Sequence, residues 1–173
     1  MSMKGIFTGT AGVYYVMYQL ALRGFHASCT HGNAPNLDIL VSSEDGDQSL
    51  AIQVKTTEYA TRFRGRGESK KPALLDFPLG YKAGRLNKAN VMFAFVDLNS
   101  SSDEREVDVY LVPSPWVTDF CKNWIDSVPM VKFQPTIEAV EPFLNNWSSI
   151  AKVVGEPPKA EMSSESEQEG SEL

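Results

Sequence analysis

Histidine and cysteine are scarce in this chain. Its 173 residues hold two of each: His26, His31, Cys29 and Cys121. The cysteines stand far apart without CxxC spacing, which excludes a thiolate zinc site and leaves a disulfide framework unsupported. Their ordinary place is as buried free thiols in a reducing compartment. No stretch approaches the roughly 18 apolar residues of a membrane span. The N-terminal stretch lacks the apolar run and small-residue cleavage site of a secretory signal. The expectation is a cytoplasmic protein with no membrane partner. A Walker loop, a GxSxG elbow and HExxH are also missing, which argues against the common nucleotide hydrolases, esterases and zinc proteases.

Net charge is small, −6, but unevenly placed. Residues 156–173 carry six acids and one base, a net of −5, with Pro, Ser, Glu and Gly dominating. Such a segment cannot offset its own ordering entropy, and a disordered acidic tail is expected there. It is a candidate to contact a protein partner or the chain's own basic surface. Residues 55–88 hold nine bases and three acids, a net of +6. Residues 1–155 are expected to form one domain, and because most of the chain's acidity lies in the tail, its net charge does not argue against nucleic acid.

The apolar pattern gives the element order. Val13, Val16, Met17, Leu20 and Ala21 recur at helical spacing, and Gly24 stands where a C-terminal cap belongs, so a helix is expected over 9–23. Phe25–Cys29 reads as a short strand. His31–Asn36 is turn chemistry. Leu37–Val41 and Leu50–Lys55 read as strands joined by the turn Glu44-Asp45-Gly46-Asp47. Residues 56–80, polar and basic with Gly65, Gly67 and Pro72, read as a long loop. Asn90–Leu98 is a buried strand, 99–106 a polar turn, and Val107–Pro113 another strand. Residues 114–126 and 136–147 read as short helices. Together they imply an α/β domain with a mixed central sheet and C-terminal helices.

Chemistry concentrates in the hairpin. Gln53 and Lys55 lie two apart on one strand and share a face, while Ile52 and Val54 take the other. The turn returns this strand beside Asp38. Asp38 and the Gln53 side-chain oxygen are suited to a hard divalent cation, and Lys55 to orienting a water or neutralising a phosphoryl oxygen. Equally, an Asp and a Lys at strand ends serve as a solvated ion pair. Thr56 and Thr57 follow as hydroxyl contacts.

The stretches Gly9-Thr10-Ala11-Gly12, Asn36-Leu37-Asp38-Ile39-Leu40-Val41 and Ile52-Gln53-Val54-Lys55-Thr56, in this order, resemble the PD-(D/E)XK nuclease superfamily. The resemblance implies a restriction-endonuclease-like core of helix, three strands, helix and further strand over roughly the first 115 residues. It makes Asp38, Gln53 and Lys55 the catalytic set, with Asp38 and Gln53 on Mg²⁺ or Mn²⁺. Gln53 replaces the usual Glu or Asp. Many relatives place a glutamate in the first helix where this chain has Val13. Glu58 and Asp76 are candidates to supply the missing charge.

The implied function is a Mg-dependent endonuclease that hydrolyses DNA phosphodiesters. The alternative is a catalytically inactive nuclease-fold module that binds nucleic acid or a protein. Family members that cut both strands often pair, so a homodimer belongs with this expectation, although no seam is legible. The bases Arg62, Arg64, Arg66, Lys70, Lys71, Lys82, Arg85 and Lys88 form the expected nucleic-acid surface, with Phe63 or Tyr59 available to stack on a base.

Overall fold

The computed structural model describes residues 3–30, 37–99, 106–128 and 130–157. His31, most of the 99–106 turn and residues 158–173 of the expected tail lie outside them. The chain opens with helix α1 (Met3–Leu22), followed by strands β1 (His26–Cys29), β2 (Ile39–Ser42) and β3 (Ser49–Thr57). Next come β4 (Thr61–Arg64), β5 (Lys71–Leu75), β6 (Phe77–Pro78) and the one-turn helix α2 (Tyr81–Gly84). Strands β7 (Val91–Asp97) and β8 (Asp108–Pro113) lead to α3 (Ser114–Cys121), β9 (Lys132–Phe133), α4 (Ile137–Val140) and α5 (Ser148–Val154).

Five strands form a mixed central sheet in the order β1-β2-β3-β7-β8. The pair β3–β7 is parallel and the other neighbours are antiparallel. The continuous apolar run of β7 is buried along its whole length, as a strand covered on both faces requires. Alternation divides the core in two. On one face Ile39, Val41, Ile52, Val54, Ala94, Val96 and Leu111 pack under Val16 and Leu20 of α1, with Ile150 and Val154 of α5. On the other, Phe93, Phe95 and Tyr110 meet Phe77 and Phe133. Phe95 stacks on Phe133 with centroids 4.2 Å apart. Trp116, Phe120 and Trp124 extend this aromatic layer through ring contacts. Trp116 and Trp124 therefore serve as core anchors.

Several elements differ from expectation, each for a local reason. Helix α1 starts at Met3 rather than near residue 9. Its first turns are tied down by Glu58, which pairs with Lys4 at 2.9 Å and accepts from the Thr8 hydroxyl at 3.3 Å. It ends as expected: Phe25 N–H donates to Leu20 O and Gly24 N–H to Ala21 O, with Gly24 at φ 78°. This is the left-handed glycine cap.

The expected loop over 56–80 is largely ordered secondary structure. Strands β4 and β5 pair as an antiparallel ribbon, with Arg64 opposite Lys71 and Arg62 opposite Leu74. The signal was the alternation Thr61-Arg62-Phe63-Arg64, masked by charge. The helix expected over 114–126 stops at Cys121 and gives way to turns. That over 136–147 is the single turn α4, capped by Thr136, followed by a 3-10 turn at Glu141–Phe143 that contains Pro142. Helix α5 was not anticipated. Its apolar residues Ile150 and Val154 find their place only against the sheet.

Candidate functional site

Gly12 decides how α1 meets the sheet. A Cβ at Gly12 would fall 1.9 Å from Thr56 Oγ1 and 2.8 Å from Thr56 Cβ. Only a residue without a side chain lets the helix lie this close to β3. The approach places Thr10, Val13 and Tyr14 along a cleft of about 420 Å³, whose opposite wall includes Cys29, Thr30, Asp38 and Val54.

Asp38 sits just before β2 and fastens three strands together. Its N–H donates to Ile52 O at 3.0 Å, and its carbonyl accepts from Thr30 N–H at 3.0 Å. Its carboxylate Oδ2 accepts from Val54 N–H at 2.7 Å. Val54 lies between Gln53 and Lys55 in the chain. The carboxylate is therefore held over the backbone that joins the other two residues. Its second oxygen, Oδ1, accepts no hydrogen bond among the described residues.

Gln53 and Lys55 point away from α1, where β3–β7 pairing sets them beside Phe93 and Phe95. Gln53 is only 6% exposed, and its Oε1 has no hydrogen-bond partner among the described residues. An unpaired buried oxygen is costly and requires an explanation. Lys55 is half-buried. Burial pushes its ammonium below the ordinary lysine range, and the Asp38 charge pulls in the opposite direction. The structure thus brings Asp38 and Lys55 within electrostatic reach and places Gln53 between them in the chain. Asp38 also reaches the cleft, whereas Gln53 and Lys55 lie on the aromatic side of β3.

The donor set consists of oxygens, as a hard cation prefers. Asp38 offers a carboxylate oxygen, and Gln53 an amide oxygen that no described residue satisfies. Val13 lines the cleft with Asp38 and contributes only methyl groups there. The two acids considered as replacements are engaged elsewhere. Asp76 is held by Arg62 at 3.2 Å and Lys132 at 3.3 Å, and Glu58 by Lys4 and Thr8. Among the described residues no group of three or more His, Cys, Asp or Glu side chains is arranged to hold a metal.

The basic residues fall into two sets rather than one. Arg64, Arg66, Lys70 and Lys71 are exposed along the β4–β5 ribbon, with the Lys70 ammonium 5.2 Å from the Phe63 ring centre. Arg62 is on the same ribbon but is neutralised by Asp76. Lys82, Arg85 and Lys88 belong to the α2 region, where Arg85 pairs with Asp126. Sequence reasoning missed Cys29, Thr30 and Thr10 as walls of the cleft. Gly12 was the available signal, because a glycine inside a helix marks a close approach to a neighbouring element. Cys121 is a different kind of thiol: burial pushes it up to about 11, so it is inert.

No known family model, curated protein or solved structure matches this chain. Among the described residues no helix is long and apolar enough to cross a membrane.

Proposed function

We propose that this chain is a metal-dependent phosphodiesterase of the PD-(D/E)XK type that acts on DNA. The observation that carries the reading is the buried Gln53 oxygen, without a partner among the described residues, two positions from Lys55 on β3, whose ammonium feels the Asp38 charge. Asp38 and Gln53 are the residues that would hold Mg²⁺ or Mn²⁺. When bound, such an ion acidifies a water and neutralises phosphate charge. Lys55 holds a proton at Nζ in a partly desolvated setting, where its charge acts more strongly on a phosphoryl oxygen than it would in water. The ribbon supplies the grip. Arg64 lies directly across from Lys71, and like charges so placed repel by a few tenths of a kcal/mol or more, about 0.2–1. A phosphate between them relieves that repulsion.

A radiolabelled or fluorescent oligonucleotide duplex incubated with Mg²⁺ or Mn²⁺ tests the reading. Cleavage is expected, and Lys55→Ala is expected to reduce it by about 100-fold or more. No cleavage by clean protein in either metal rejects it. Cleavage that survives Lys55→Ala belongs to a contaminant and rejects it as well.

A second reading has its own observation. Val13 faces the cleft where a further carboxylate would stand, so among the described residues Asp38 is the only acid that lines it. A non-cleaving module that still binds DNA fits that arrangement. Binding in EDTA with a steep salt dependence, and without cleavage when metal is restored, selects it.

A further inference from the structure

We propose that the tip of the β4–β5 ribbon reads base sequence in the major groove of duplex DNA, with Arg66 taking guanine and Glu68 taking cytosine. The inference rests on the reading above that this chain acts on DNA, and adds which DNA it selects. Every residue from 62 to 72 is exposed, so the ribbon stands clear of the body. Its root is fixed. Leu75 is fully buried, its N–H donates to Pro135 O at 3.0 Å, and Arg62 is held by Asp76. Its tip is closed on itself. Ser69 Oγ donates to Arg66 O at 2.7 Å, Ser69 N–H donates to the same oxygen at 3.2 Å, and Lys70 N–H donates to Gly67 O at 3.1 Å. The whole is a short arm with a defined end.

Dimensions select the groove. Arg66 lies four residues beyond Arg62, or about 13 Å of extended chain at roughly 3.3 Å each. The major groove is about 8.5 Å deep and about 12 Å wide and admits a two-stranded ribbon, whereas the undistorted minor groove, about 6 Å wide, does not. The cations fall on both sides of the arm. Arg64 and Lys71 face each other on one side. The Lys70 ammonium lies 5.2 Å from the centre of the Phe63 ring, and Phe63 alternates with Arg64, so Lys70 serves the other side. A groove is walled by two phosphate strands, and the arm carries positive charge toward each.

Glu68 decides between gripping and reading. It is the only acid in residues 62–72 and stands at the tip. Among the described residues neither Glu68 nor Arg66 enters an ion pair. A carboxylate at the leading end weakens a tip that meets only phosphates, or an anionic lipid surface, because like charges repel. Past the phosphates, on the floor of the major groove, it has a partner. Cytosine presents its N4 amine there, and guanine presents O6 and N7 to an arginine. Arg66 and Glu68 flank Gly67, so one G·C pair or two neighbouring ones can satisfy both.

A duplex library with a randomised core, selected by the full chain in EDTA, tests this. The enriched sequences are expected to share a core that contains G·C pairs. In fluorescence anisotropy the selected duplex should bind about tenfold or more tighter than one with A·T pairs in that core. A guanine analogue with carbon in place of N7 should remove most of that margin. Arg66→Ala and Glu68→Gln should each shrink it too. Both side chains are exposed, so neither variant should melt differently from the parent. The absence of a shared core, or a margin that survives both substitutions, overturns the proposal. So does a Glu68→Gln protein that binds both duplexes equally more tightly, the mark of a tip that meets only phosphate. Failure to bind any duplex at low salt overturns it as well. EDTA keeps cleavage out of the readout. A chain that selects G·C sites and never cuts loses the phosphodiesterase reading and keeps this one. A chain that cuts all duplexes alike keeps that reading and loses this one.

Discussion

The two faces of β3 are built to different standards. Ile52 and Val54 enter an aliphatic core under α1 and α5, where close packing does all that is required of them. Gln53 and Lys55, alternating with them, carry polar ends into the flank of Phe93 and Phe95. There the Gln53 oxygen goes without a partner among the described residues, as Thr56 Oγ1 does on the α1 side, and in addition the Lys55 ammonium is disfavoured by burial. Burying a polar atom unpaired costs on the order of 1–3 kcal/mol. The first face explains why the sheet folds. The second makes folding harder, and its residues are better explained by what they meet outside the protein. Substitutions on the first face should therefore destabilise, and those on the second should stabilise.

The largest effect is expected from Gly12→Ala, which tests the tightness of the aliphatic side. A Cβ there collides with Thr56 Oγ1, and rotating that hydroxyl away leaves Thr56 Cβ still 2.8 Å off. Alanine brings about 1 kcal/mol of helix propensity, but overpacking outweighs it. A net loss of about 2 kcal/mol is expected, or about 4–8 °C in Tm for a domain of this size. Thermal unfolding measures it. Adding Thr56→Ala should recover part of the loss by removing the atoms struck. A Gly12→Ala protein as stable as the parent would show that the helix does not rest where described.

Gln53→Met should move in the opposite direction. Methionine keeps an unbranched chain of similar length and removes the orphaned oxygen. A gain of about 1 kcal/mol is expected, with loss of any metal-dependent activity. Chemical denaturation gives the first and the duplex assay the second. If the variant is less stable than the parent, the Gln53 oxygen is satisfied in solution and the contrast between the faces is weaker than drawn.

How much of this was legible beforehand depends on the range of the interactions. The helix cap at Gly24, the Glu44–Asp47 turn and the β2–β3 hairpin are local, and their residues announce them. The pairing that sets Asp38 against the backbone of Ile52 and Val54 follows from that hairpin alone, whereas the side of β3 taken by Gln53 and Lys55 depends on its pairing with β7. The β4–β5 ribbon was read as loop because its alternation is carried by arginine and phenylalanine rather than by a buried face. Helix α5 depends on contacts with distant strands. The tyrosines of α1 were visible as covering more than one side, yet only the fold shows which side the sheet takes. Whether Glu58 or Asp76 joined the site was likewise undecidable, because Lys4 and Lys132, which help hold them, are remote in sequence.

Lys55→Met probes the same costly face with the smallest effect, and its signature is a pH dependence. Burial lowers the lysine below its ordinary value of 10.5, and the attraction of Asp38 only partly restores it. Below the folded-state value the side chain is charged in both states, and folding carries the full penalty of desolvating the ammonium. Between the folded-state value and 10.5 the unfolded chain binds more protons than the folded one, so stability rises with pH. Above 10.5 the penalty is gone. Methionine removes it at every pH. The variant should therefore melt above the parent near neutrality, and its advantage should shrink steadily as pH is raised through the alkaline range. Melting curves of both proteins from pH 7 upward would show it. An advantage that stayed flat with pH would assign the gain to packing against Phe95 rather than to a desolvated charge. An advantage that grew with pH would mean that Asp38 outweighs burial and that Lys55 is stabilised where it stands.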